Sequence, residues 1–164
     1  MAVIARNKAV GIGITDAAAM LLVFLVPALS HLTSVPFYLL DPMRMAVLGA
    51  LLCTRNWKNS LALALALPIV SFALSGHPVF PKFLLISAEL SVNVLVFAWL
   101  SRKMNAGVSA FVSILLSKLF YYGLKAVVLS AGLLQMSLVS TTIWWQFGVA
   151  VALSAAFAIF WNRR

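Results

Sequence analysis

Acidic side chains are almost missing: Asp16, Asp41 and Glu89 stand alone against 12 lysines and arginines. So few carboxylates leave little material for general acid–base catalysis. A single cysteine, Cys53, excludes an internal disulfide and a cysteine-held metal cluster. The two histidines, His31 and His77, fall in expected outer connections, and no HExxH, GxSxG or paired-carboxylate motif occurs. A glycine-rich loop ending in Lys-Ser or Lys-Thr is absent too, so the chain does not cradle ATP in the usual way. These absences argue against an enzyme and against a resident metal or cofactor. Energy for any work must then come from a gradient or a partner.

Charge of either sign is scarce as well. Only 9% of the 164 residues are charged, where a soluble domain carries about 25%. Hydrophobic residues make up 64%, and the mean hydropathy is +1.08. Nothing here covers a water-exposed surface, so lipid is the expected solvent. A net charge of +9 would suggest nucleic acid in a soluble protein. Here the basic residues sit in short clusters between apolar runs, which is a membrane-topology pattern and points to acidic headgroups rather than nucleic acid.

What is present is a succession of apolar runs. They predict an all-α integral membrane protein, one compact domain with six transmembrane helices at about 9–30, 43–54, 59–75, 83–100, 107–131 and 141–161. The first run follows Arg6 and Lys8 as a signal peptide would. It is longer than an h-region and lacks a small-x-small cleavage site, so it reads as a retained helix. The second run is too short to span alone, and is expected to tilt, to thin the bilayer, or to begin inside the preceding loop at 32–41. Pro68 predicts a kink in the third.

Loop charges orient this arrangement. With the N-terminus inside, the inner ends hold Arg6, Lys8, Arg55, Lys58, Arg102, Lys103, Arg163 and Arg164, and the outer ends only Arg44 and Lys82. That bias places both termini in the cytoplasm. Trp57, Trp99 and Trp161 then mark the inner interface, and Trp144 and Trp145 the outer one.

Ionisable residues within the spans are the candidate functional groups, because each costs about 2.5–3.5 kcal/mol at the bilayer centre. Lys118 and Lys125 are seven apart on the fifth helix, hence on one face, with Tyr121 and Tyr122 between them. Glu89 and Asn93 on the fourth helix, and Gln146 on the sixth, fall at depths that would let them converge with Lys125 in a cavity open to the outside. Two pairings, Glu89 with Lys125 and Asp16 with Lys118, would equally serve structure alone. On the first helix Ala5, Ala9, Gly13 and Ala17 recur every fourth residue and form a smooth stripe for close helix approach. Packing within the bundle is the alternative use, since Ala46/Ala50 and Ala62/Ala66 repeat the spacing.

The stretch from Pro68 to Leu100 carries Ser75-Gly76-His77-Pro78, Pro81, Ile86-Ser87-Ala88-Glu89-Leu90 and a basic turn from Ser101. With Ser117-Lys118-Leu119 and Tyr122-Gly123, it resembles the substrate-binding S-component of an energy-coupling factor vitamin transporter. The resemblance covers roughly half the chain. It implies a cell-membrane subunit of a prokaryote that captures a vitamin-like small molecule. Two cytoplasmic ATPases and a transmembrane coupling protein would complete the transporter, the latter docking on an Ala-x-x-x-Ala pattern that Ala5 and Ala9 match. The candidate substrate-binding residues are then Glu89, Asn93, Lys118, Tyr121, Tyr122, Lys125, Trp145, Gln146 and His77. The rival readings are a cell-shape type membrane scaffold, which needs no converging polar groups, and a gradient-driven carrier, which would show inverted repeats.

Overall fold

The computed structural model describes residues 2–34, 37–76, 78–134 and 143–161, with backbone alone at 2–8, 31, 38 and 143. Among them the chain is all helical. The helices are α1 (Ala2–Thr33), α2 (Pro42–Thr54), α3 (Trp57–Ser75), α4 (Lys82–Leu100), α5 (Ala106–Ser130) and α6 (Ile143–Phe160). A single 3-10 turn, Phe37–Leu40, sits between α1 and α2. By length and composition four segments are able to cross a membrane: Ala9–Ser30, Trp57–Ser75, Lys82–Leu100 and Ala106–Ser130. Pro42–Thr54 and Trp144–Phe160 are apolar but shorter. The expected start of the sixth helix at Thr141 lies outside the described residues.

Local chemistry sets the helix ends. The Asn56 side chain accepts from the backbone N–H groups of Lys58 and Asn59 and so caps α3. Asn105 does the same for α5 through Gly107 N at 2.8 Å. Gly76 ends α3 at φ 69°, a left-handed conformation that glycine adopts without a steric cost. Pro42 opens α2, where its missing N–H is no loss. Consecutive helices pack on one another, and the short connections between α2 and α5 make those neighbours antiparallel.

At 13 residues, α2 is about 20 Å long and falls short of a bilayer core of roughly 30 Å. Apart from Arg44 and the final Thr54 its sequence is apolar all round, and a helix of that kind belongs in an interior. Ala46, Val47 and Ala50 join Ala19 of α1, Leu63, Ala64 and Leu67 of α3, and Leu90 and Val94 of α4. Leu48 and Leu51 join a second core with Phe97, Ala110, Ile114, Ala150 and Phe157. Thus the shortest helix is the central pillar, in contact with both cores, and Trp57 packs against each.

Ser109, Ser113 and Ser117 recur at four-residue spacing along one face of α5, each fully buried, and Ser117 meets Asn93 of α4. Small side chains in this register let two helices approach closely in lipid. α5 and α6 approach closely at Gly107, where a Cβ would lie 2.7 Å from the Ala158 Cβ and 3.0 Å from the Ser154 carbonyl. Glycine is required there for space, because any side chain would press α6 outward.

By contrast, α1 leans on the bundle rather than joining it. Among its described side chains only Ala19 and Val26 are buried. Ala9, Gly13 and Ala17 are exposed, and nothing lies within 4 Å of a Cβ built on Gly13. The stripe is therefore open at those three positions among the described residues. The side chain of Ala5 lies outside the described residues.

Candidate ligand-binding site

Arg44 is the largest fully buried side chain, at 1% exposure, in the first turn of α2. A guanidinium in such a place needs carboxylates. Its Nη2 donates to Glu89 Oε1 on α4, and its Nε ion-pairs with Asp41 Oδ2 at 3.3 Å. Lys118 of α5 closes the figure: its Nζ lies 3.0 Å from Glu89 Oε1 and donates to Asp41 Oδ2 at 3.3 Å. Asp41, Arg44, Glu89 and Lys118 thus form a ring of alternating charge that joins α2, α4 and α5.

The ring is sealed on one side and open on the other. Arg44 and Glu89 side chains are 2% and 5% accessible, whereas Asp41 and Lys118 keep 18% and 19%. Asp41 lies in the connection ahead of α2, with φ 52° in the left-handed region that strains a non-glycine residue. Burial alone would raise its carboxyl pKa, but Arg44 and Lys118 outweigh burial and hold it below the ordinary value. The carboxylate is therefore ionised at neutral pH.

Beside the ring stands Lys125, buried to 4% exposure. The Lys118 and Lys125 ammonium groups lie 5.7 and 5.9 Å from the Tyr121 ring centroid, within the range of cation–π attraction. Tyr122 packs edge-on against Tyr121 at 5.4 Å. Asp41 and Glu89 balance Arg44 and Lys118, and Lys125 adds a third basic side chain beside them. The only other acid, Asp16, accepts from Asn59 Nδ2 at 2.7 Å, between α1 and α3.

One turn below Glu89, Asn93 is fully buried and donates from Nδ2 to Ser117 Oγ at 3.1 Å. The Ser117 hydroxyl is itself committed to the Ile114 carbonyl. That fixes the amide orientation and leaves Asn93 Oδ1 a buried acceptor with no hydrogen-bond partner. Ser87 Oγ on the same helix is likewise unsatisfied. A buried acceptor in this state costs about 1–3 kcal/mol, so a donor arriving in the site would be rewarded.

Five expected residues, Glu89, Asn93, Lys118, Tyr121 and Lys125, are brought together here. Tyr122 adjoins them through Tyr121. Trp145 is exposed and Gln146 is half-buried in the first turn of α6, while the ring's own side chains come from α2, α4, α5 and the Asp41 connection. His77 lies outside the described residues. Both expected pairings are corrected: Glu89 meets Arg44 and Lys118 in place of Lys125, and Asp16 meets Asn59 in place of Lys118. Arg44, expected at the outer surface, is instead the centre of the site. Its sequence signal was the spacing of Asp41 and Arg44, three apart across a helix start, in a chain with few acids to spare.

No family model, curated protein or solved structure matches the chain.

Proposed function

We propose that this chain is the substrate-capturing membrane subunit of an ATP-driven micronutrient importer, in the cell membrane of a prokaryote. The observation that carries the reading is the ion-pair ring that opens through Asp41 and Lys118, with the unsatisfied Asn93 acceptor one turn from Glu89. The Asn93 acceptor suits a hydrogen-bond donor on a small ligand, and the ammonium groups of Lys118 and Lys125 on either side of Tyr121 suit an anionic group on the same ligand. In this reading all six helices are embedded, both termini are cytoplasmic, and the pocket faces outward. Vitamin-like compounds or their precursors are the proposed cargo. The exposed Ala9, Gly13 and Ala17 would seat a coupling membrane protein that relays the work of two ATPases.

The scaffold reading draws on one feature, the exact balance of two acids and two bases within the ring. The two readings part on a direct measurement. Protein purified from cells and then denatured should release a stoichiometric small anion detectable by mass spectrometry. Recovery of no such compound would favour the scaffold. Uptake in proteoliposomes that lack any ATPase would instead make the chain a gradient-driven carrier.

The topology has its own test, in a Cys53→Ser background because Cys53 is exposed. Cysteines introduced as His77→Cys and Ala106→Cys should react from opposite sides, the former from outside intact cells. Labelling of both by an impermeant reagent would refute the proposed orientation.

A further inference from the structure

The turn that joins α4 to α5 lies at the opposite end of α4 from Lys82 and carries Arg102 and Lys103. Its shape is held by its own backbone. Lys103 N and Met104 N both donate to the Leu100 carbonyl, at 2.8 and 2.9 Å, and Ser101 N donates to Phe97 O. The Lys103 ammonium lies 4.3 Å from the Trp99 ring centroid, the shortest cation–π approach among the described residues. Trp99 is itself 57% exposed, and Leu95, one turn earlier on the same face, is exposed too. An outward-facing apolar strip on a membrane-length helix thus ends in an indole topped by the Lys103 ammonium, with the exposed Arg102 next to it in the turn.

None of the chain's three acids pairs with those cations. Asp41 and Glu89 are committed to the ring, and Asp16 is held by Asn59 between α1 and α3. The neighbouring turn repeats the pattern, with Lys58 over Trp57 at 5.9 Å and Arg55 over Trp161 at 4.8 Å. Arg55 differs in that its guanidinium is already bound to the Phe160 and Trp161 carbonyls. Arg102 and Lys103 are exposed, and so remain available to an anion from outside the chain.

We propose that Trp99, Arg102 and Lys103 form a headgroup site for an anionic phospholipid, with one acyl chain lying along Leu95 and Trp99. Three properties of the surface select that occupant. Two adjacent cations complement a phosphodiester with no cation of its own. The indole sits where ester groups meet the hydrocarbon. The exposed leucine continues into the span, which a soluble anion would not use. A choline headgroup brings a positive charge that the two cations repel. Attraction to an anionic bilayer surface is worth about a fivefold enrichment for each basic residue.

The test uses the full chain in nanodiscs of phosphatidylcholine doped with brominated phosphatidylglycerol or, in parallel, brominated phosphatidylcholine. Bromine quenches tryptophan on contact, and subtraction of a Trp99→Phe sample isolates the Trp99 signal. The phosphatidylglycerol arm should show roughly 25-fold stronger association at Trp99 than the phosphatidylcholine arm, fivefold for each of the two cations. The Arg102→Gln/Lys103→Gln double variant should abolish the difference, and so should salt added to the wild type, which serves if the variant fails to fold. Equal quenching by the two lipids would overturn the site, as would a preference that survives the double substitution. Loss of the preference on adding millimolar inorganic phosphate at constant ionic strength would overturn it also, because the site would then be a phosphate site and not a lipid site.

Discussion

Arg44→Met should lower the thermal stability of the detergent-solubilised protein more than any surface substitution, by about 3–5 kcal/mol. The guanidinium bridges Asp41 and Glu89 with almost no solvent contact. Its removal leaves two carboxylates to share the single Lys118 ammonium, which carries only half their charge. Methionine retains volume and stem packing, so the loss reports charge rather than a cavity. The Arg44→Met/Glu89→Leu double variant should recover much of the stability, because it removes one charge of each sign. A single variant that melts with the wild type would show that the ring is not an energetic unit. Acid should mimic the substitution. Asp41 has a depressed pKa in the folded protein, so its contribution is complete above the ordinary carboxylate range and is lost as pH falls through the folded value.

Lys125→Ala is expected to have the largest effect on binding. A desolvated ligand anion that loses its partner forfeits about 2–5 kcal/mol, which is roughly 30-fold to several thousandfold in Kd. Calorimetry with the co-purified compound, returned to protein stripped of it, provides the measurement. Glu89→Gln serves as the companion. If Glu89 only neutralises Arg44 and Lys118, the variant should melt earlier yet hold an anion as well or better. If Glu89 touches the ligand, affinity should fall while melting moves little. Unchanged binding and stability in both variants would remove this cluster from consideration.

The helical class and the long apolar segments were legible from hydropathy alone, because a bilayer-length run needs no knowledge of its neighbours. The expected starts at 59, 83 and 107 lie within two residues of the observed helices at Trp57, Lys82 and Ala106. The site was legible only in part. Glu89, Asn93, Lys118 and Lys125 stood out as polar groups in lipid-length helices. Their partners did not, since matching depths along two helices ignores tilt, rotation and the reach of a lysine stem. Lys118 thereby crosses to Glu89 and Asp41, while Asp16 finds Asn59 on the other side of the bundle. Arg44 was hidden by its position. An arginine two residues past a proline, at the head of a helix too short to span, reads as a surface anchor until α2 is seen enclosed by its neighbours. Ser109, Ser113 and Ser117 repeat at a regular spacing that hydropathy discounts, although it puts three small side chains on one buried face of α5 and Ser117 against Asn93 of α4.

The enclosure of α2 also constrains how the protein is made. At 13 residues α2 is a poor candidate to leave the translocon by itself, since it falls short of the roughly 20 apolar residues that a span needs. Only Arg55 and Asn56 separate α2 from α3, so in the proposed six-helix arrangement the two would enter as a hairpin, the longer helix carrying the shorter. Asp41 is at hand from the start, but the second carboxylate that receives Arg44, Glu89, comes 45 residues later in the chain. At about 5–20 residues per second of synthesis, the guanidinium waits some 2–9 s for this second counter-charge. During that interval α2 has only α1 and α3 beside it, and this nascent stage is where a chaperone or insertase would find a substrate.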